Sequence, residues 1–207
     1  MTLADVIEQL KYGELRSIAA KDDNNAIVSY INLALQALYN RFILKVDEYV
    51  LPLEDNITEY TLPDNLSVID SVYNEAGEEL SLDDPNDVNG VLRVSYNTIQ
   101  VPNPRTGDAI SIIYIPIPEK VVYVDETSLT QKIPLPPQLL EPLLHYIGYR
   151  AHGSMDGNIK AENNTHYMRF VASCDRIDQL GVIRRAIPTA SVSKAEHISE
   201  TYIEVGE

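Results

Sequence analysis

The chain has 207 residues, 44% of them apolar, and a formal charge of −15. That is enough apolar material for a folded core, which excludes global disorder, and no apolar run approaches the roughly 18 residues of a membrane-spanning helix. The opening Met1-Thr2-Leu3-Ala4-Asp5 lacks the basic and apolar regions of a signal peptide, and the single Cys174 excludes an intramolecular disulfide, so a soluble chain made in a reducing cytoplasm is expected.

Charge is unevenly spread. Residues 44–130 hold 17 acids against 4 basic residues, whereas residues 131–186 hold 7 basic residues against 5 acids. An acidic middle beside a near-neutral C-terminal region points to two structural modules, and it argues against ordinary nucleic-acid binding because nothing neutralises a row of phosphates. An acidic surface kept for solubility gives the same count.

Taken in order, Leu3, Val6, Ile7 and Leu10 mark a first helix with Thr2 as its cap. The polar stretch 21–25 precedes Ile27, Ile31, Leu35, Leu38 and Phe42, whose spacing predicts an amphipathic helix of about five turns. The period then drops to two. Tyr49, Leu51 and Leu53 alternate with Val50, Pro52 and Glu54, and strands follow at 57–62, 68–73, 79–82, 91–96, 98–101 and 109–117. Asn74-Glu75-Ala76-Gly77-Glu78 reads as a hairpin turn, and Pro102–Asp108 as a loop. In the last strand Ile110, Ile112 and Tyr114 alternate with Ile113, Ile115 and Ile117, which predicts cover on both faces.

Helix returns after Ile133-Pro134-Leu135-Pro136-Pro137, with Leu140, Leu143, Ile147 and Ala151 on one face. A turn is expected at Gly153–Gly157, then a helix from about Lys160 to Leu180 with Gly181 just past its end. The expected fold is α+β. An antiparallel helical bundle from both chain ends (1–43 and 131–181) carries an inserted antiparallel β domain (44–130), and 182–207 form an extended tail.

Chemistry is thin. Ser154 stands second rather than third in Gly153-Ser154-Met155-Asp156-Gly157, so this is not a nucleophile elbow. His145 and His152 share a helix face with Glu141, but zinc sites favour a closer pair and a third ligand, so helix-packing histidines are the preferred reading. Cys174 lies on an apolar face without a CxxC partner, as a buried thiol would. The acidic loop 83–90 lacks the register of a calcium loop. No catalytic residue, metal site or cofactor is assigned. Thirteen tyrosines against two phenylalanines and no tryptophan suit half-buried contacts between subunits, though a twisted sheet would use them too.

The helix Ser29-Tyr30-Ile31-Asn32-Leu33-Ala34-Leu35-Gln36-Ala37-Leu38-Tyr39 is followed by Tyr60-Thr61-Leu62-Pro63-Asp64-Asn65-Leu66, a hairpin, and Asp108-Ala109-Ile110-Ser111-Ile112-Ile113-Tyr114. Ile133-Pro134-Leu135-Pro136-Pro137 then opens a Leu-rich helix ending near Tyr149-Arg150-Ala151. Over residues 1–181 this order resembles the head-to-tail adaptors of short-tailed bacteriophages, of the tail tubular protein A type. The resemblance implies a non-enzymatic virion subunit in a ring of twelve copies. It also implies contacts with the portal above, the tail nozzle below and tail fibres at the side, with DNA passing through unbound.

Within that frame, Tyr30, Leu33, Tyr146 and Arg150 are the expected subunit-interface residues. Arg184, Arg185, Tyr202 and Ile203 of the tail are the expected portal-docking residues. The alternative is a non-enzymatic β-rich binding module that recognises a ligand or protein through the Pro102–Asp108 loop.

Overall fold

The computed structural model describes residues 1–84, 86–153 and 165–186. They contain four α-helices and seven strands, an α+β fold, divided between two compact units: Met1–Ile43 with Val121–Glu207, and Leu44–Lys120.

In the first unit, α1 (Leu3–Tyr12) starts at a capping box. The Thr2 hydroxyl accepts from the Asp5 amide while the Asp5 carboxylate accepts from the Thr2 amide. Each thereby satisfies a donor that the first turn leaves without a partner. The next helix, α2 (Asn24–Arg41), is capped by Asp23, whose carboxylate accepts from the Asn25 and Ala26 amides. Ile27, Ile31, Leu35 and Leu38 are buried along one face, and Phe42 closes that row just past the helix end. After a 3-10 turn at Pro137–Leu139 comes α3 (Leu140–Gly153), which buries Leu143, Ile147 and Ala151. The last helix, α4 (Thr165–Leu180), buries Phe170, Ser173, Cys174 and Ile177. Leu180, at its C-terminal end, is exposed. Gly181 follows at φ +63°, a left-handed conformation that glycine adopts without a Cβ clash.

Polar groups stitch distant parts of this unit together. Asn32 donates to the Val121 carbonyl and accepts from its amide, both at 2.9 Å. The Tyr39 hydroxyl donates to the Pro134 carbonyl at 3.0 Å. Residues 121–130, read from sequence as the end of the β module, therefore belong with the helices. The stretch after Gly181 is likewise not tail from its start. The Ile43 amide donates to the Arg184 carbonyl and the Ala186 amide to the Arg41 carbonyl. The expected turn at 154–157 and the tail beyond 186 lie outside the described residues.

The second unit holds two antiparallel sheets. One has the order β1 (Asp47–Pro52), β7 (Ala109–Pro116), β3 (Leu66–Asn74), β4 (Glu79–Leu80); the other β2 (Glu59–Thr61), β6 (Thr98–Gln100), β5 (Leu92–Ser95). Leu51 faces Ile110 and Tyr49 faces Ile112 across the β1–β7 ladder. Together with Leu53, Tyr60, Leu62, Val91, Ile99 and Val101, the inward rows form one apolar core. Along β3 the buried residues fall at Leu66, Ile69 and Val72, a spacing of three rather than two, because register shifts interrupt its pairing with β7. In β7, Ile110, Ile112 and Tyr114 are buried, and on the alternate row Ile115 is buried and Ile113 half-buried, while Ile117, just past the strand, is exposed, so the cover on that face is partial. Gly77, at φ +78°, sits in the hairpin between β3 and β4.

Candidate functional site

In the described part of the helical unit, a dense cluster of titratable side chains is centred on Glu14. This residue lies in the loop just after α1, with Leu15 beside it fully buried. One carboxylate oxygen is 3.0 Å from His145 Nδ1 on α3, and the other is 2.7 Å from His166 Nδ1 in the first turn of α4. His152, near the end of α3, donates from Nε2 to the Glu14 backbone carbonyl at 2.9 Å. Its ring stacks on that of His166, with centroids 4.8 Å apart and planes within 10°. Of the four histidines in the chain, three thus meet at one glutamate.

A second ring of charge surrounds them. His145 Nε2 is 3.7 Å from a Glu141 oxygen, and Glu141 in turn pairs with Arg176 of α4. A groove beside the cluster is lined by Glu141, His145, Arg169, Ala172, Ser173 and Arg176. Burial holds His166 below the ordinary histidine range. Glu14 pulls the other way, and His152, Arg169 and His145 add to the lowering.

The cluster depends on a residue with no side chain. Gly148 occupies the middle of α3, three residues after His145 and four before His152. A Cβ there would come within 2.8 Å of His166 Nδ1 and 3.1 Å of Glu14 Oε2. Glycine inside a helix is less stable than alanine by roughly 1 kcal/mol, so this position favours the approach of Glu14 and His166 over helix propensity.

Sequence reading singled out His145, His152 and Glu141 but missed Glu14 and His166. Glu14 stands 131 positions before His145, and no motif spans that distance. The available signal is a helix-interior glycine between two histidines on one face. Cys174 is fully buried, and burial pushes its thiol up to about 12, so it is not a nucleophile at neutral pH.

The other singled-out residues are dispersed. Leu33 and Tyr30 lie on α2, Leu33 exposed and Tyr30 half-buried, and Arg150 is exposed on α3. Tyr146 is half-buried because its ring packs edge-on against Phe170 of α4 at 5.0 Å and Tyr149 at 5.8 Å. Arg184 is held through its backbone to Ile43, while the Arg185 guanidinium lies 4.0 Å from Asp178. Tyr202 and Ile203 lie outside the described residues.

Two loops of the β unit are occupied internally. In the 102–108 loop, Thr106 and Asp55 exchange two hydrogen bonds of 2.9 Å. In the acidic loop, Asp83 pairs with Arg93, Asp84 accepts from the Asn86 amide, and Asp87 accepts from the Ser81 hydroxyl and the Asn89 amide. Those carboxylates serve the turn.

Among the described residues no helix is long and apolar enough to cross a membrane. No curated protein matches the chain. Among solved structures, the neck of an empty GTA particle, computed with C6 symmetry, is similar over 85% of this chain and 88% of its own. The two share 14% sequence identity, with a TM-score of 0.33. The family pattern of the SU10 adaptor protein is different in kind, for it matches residues 1–192 and so runs through both units. The chain belongs to the SU10 adaptor protein family, a phage adaptor family.

Proposed function

We propose that this chain is a non-enzymatic structural subunit of a phage neck, assembled as a ring of twelve copies that joins the portal of the head to the tail nozzle. The observation that carries this reading is the adaptor-family match over residues 1–192. The motif order of the tail tubular protein A type supports the ring and its neighbours, with tail fibres at the side. The charge supports a passage for DNA. A surface with 17 acids against 4 basic residues over 44–130 repels phosphates instead of holding them.

In this reading the helical unit is an antiparallel bundle that forms the wall between subunits, through Tyr30, Leu33, Arg150 and the uncovered part of Tyr146. Residues 187–207 dock on the portal through Tyr202 and Ile203, with Arg184 and Arg185 at the base. Mixing the purified chain with portal, followed by light scattering and electron microscopy, tests the proposal. The chain alone is expected to be monomeric at low salt and to form rings on the portal. Arg150→Glu is expected to leave the monomer folded but block ring closure, and a chain ending at residue 187 to fold without attaching. A monomer at saturating portal overturns the ring. Normal rings with Arg150→Glu overturn the helical wall.

A further inference from the structure

We infer that Glu14, His145 and His166 form a binding site for one divalent transition-metal ion, zinc by the chemistry of its ligands. Two imidazole nitrogens and a carboxylate are the donor set that zinc takes in three-ligand sites, with a fourth position left for water or another group. The three donor atoms lie within 4.8 Å of one another. Ligands on a tetrahedral zinc with bonds of about 2.1 Å stand about 3.4 Å apart, so modest side-chain rotations close the set. The side chains are only 15–23% exposed, which shields the site yet leaves a way in.

Two further features match a built metal site. The outer ring nitrogen of a ligating histidine is normally aimed at a carboxylate or carbonyl, which fixes its tautomer. His145 directs Nε2 toward Glu141, 3.7 Å away, while His152 stacks on His166 and holds the Glu14 backbone. Gly148 is the second feature: it leaves open the space where Glu14 and His166 meet, at a position where any Cβ would intrude. The ion would tie three separate segments together: the loop after α1, the middle of α3 and the start of α4.

Protons alone can hold much of the same arrangement, with His145 donating from Nδ1 to Glu14 and His166 Nδ1 in charge contact with it. Asparagine separates the two cases. Its amide replaces the Nδ1–H donor but is a poor zinc ligand. The experiment titrates zinc into metal-free full-length chain against a chromophoric chelator, with thermal melts in parallel. Wild type is expected to bind one zinc per chain with a Kd below about 10 µM and to gain Tm on binding. His145→Asn and His166→Asn are expected to keep the metal-free Tm but lose at least about tenfold in affinity, as even removal of an outer partner does. Gly148→Ala, which retains every ligand but displaces them, is expected to weaken binding as well. His197→Ala, at the one histidine outside the cluster, should bind as wild type.

Wild type that takes up no zinc, or Asn variants that bind it unchanged, would overturn the site. Should one Asn variant fail to fold, the other and Glu14→Gln put the same question. Because the readout is zinc uptake by the isolated chain, failure here leaves the ring proposal standing.

Discussion

The helical and β units use polar groups in opposite ways. In the helical unit, half-buried side chains reach across long stretches of sequence: Asn32 to Val121, Tyr39 to Pro134, Arg41 to Asp175 and Asp178, Glu14 to His145 and His166. In the β unit the ladders and one apolar core join the strands, while its carboxylate bonds, whether in the acidic loop or across to Ser111 and Thr106, are exposed. Helices satisfy their own backbone and leave tertiary contacts to side chains, whereas strands find partners through the backbone itself. That difference explains how the β unit carries so much negative charge without loss of its core. The acids stand at positions the ladder does not need, and water solvates them.

The sharpest test of this contrast removes apolar volume from each unit. Leu143 and Ile112 are both fully buried, so Leu143→Ala and Ile112→Ala should each lose about 2–5 kcal/mol. In calorimetry each is expected to lower the transition of its own unit and spare the other. Equal shifts of a single transition would show one cooperative block and break the comparison.

Next in size is a matched pair of polar deletions. Asn32→Ala leaves the amide and carbonyl of buried Val121 without partners and should lose about 1–3 kcal/mol in urea melts. Asp55→Ala removes the one hydrogen bond that its carboxylate accepts from the amide of exposed Thr106, which water replaces, and should lose under about 1 kcal/mol. Equal losses would erase the distinction between buried and exposed polar bridges. Smaller again is Asp23→Ala, which uncaps α2 and should lose about 1 kcal/mol in the helical transition alone.

The smallest expected effect is one of pH. The Ser81 hydroxyl, with the Asn89 and Gly90 amides, holds the Asp87 carboxyl below the ordinary carboxylate range. The unfolded chain therefore binds this proton first on acidification. The stabilisation is complete above the ordinary value and is lost as pH falls below about 4 through the folded value. Asp87→Asn should flatten the acid limb of the β transition slightly; a steeper limb would contradict the sign.

Much of this molecule was legible as periodicity. The spacing of Ile27, Ile31, Leu35 and Leu38 places α2, and Thr2 marks the start of α1 because its short polar side chain satisfies an open amide. The alternation at Ile110, Ile112 and Tyr114 identifies β7 and its buried row. The β3 spacing of three was not legible, since register shifts arise from pairing with a neighbour, not from the strand's own pattern. Nor was the placing of 121–130 or of 184–186, which depends on hydrogen bonds to Asn32, Ile43 and Arg41.

By itself, then, the sequence determined the kinds of element, their order, the α+β class and the charge contrast, because each follows from local spacing and composition. The cluster at Glu14 was decided only in three dimensions. Glu14, His145 and His166 share no local pattern, and their meeting depends on the packing of α3 against α4 and on the space left by Gly148. Sequence spacing records what one helix or strand does with its own neighbours; a site assembled from three segments is set by how those segments pack.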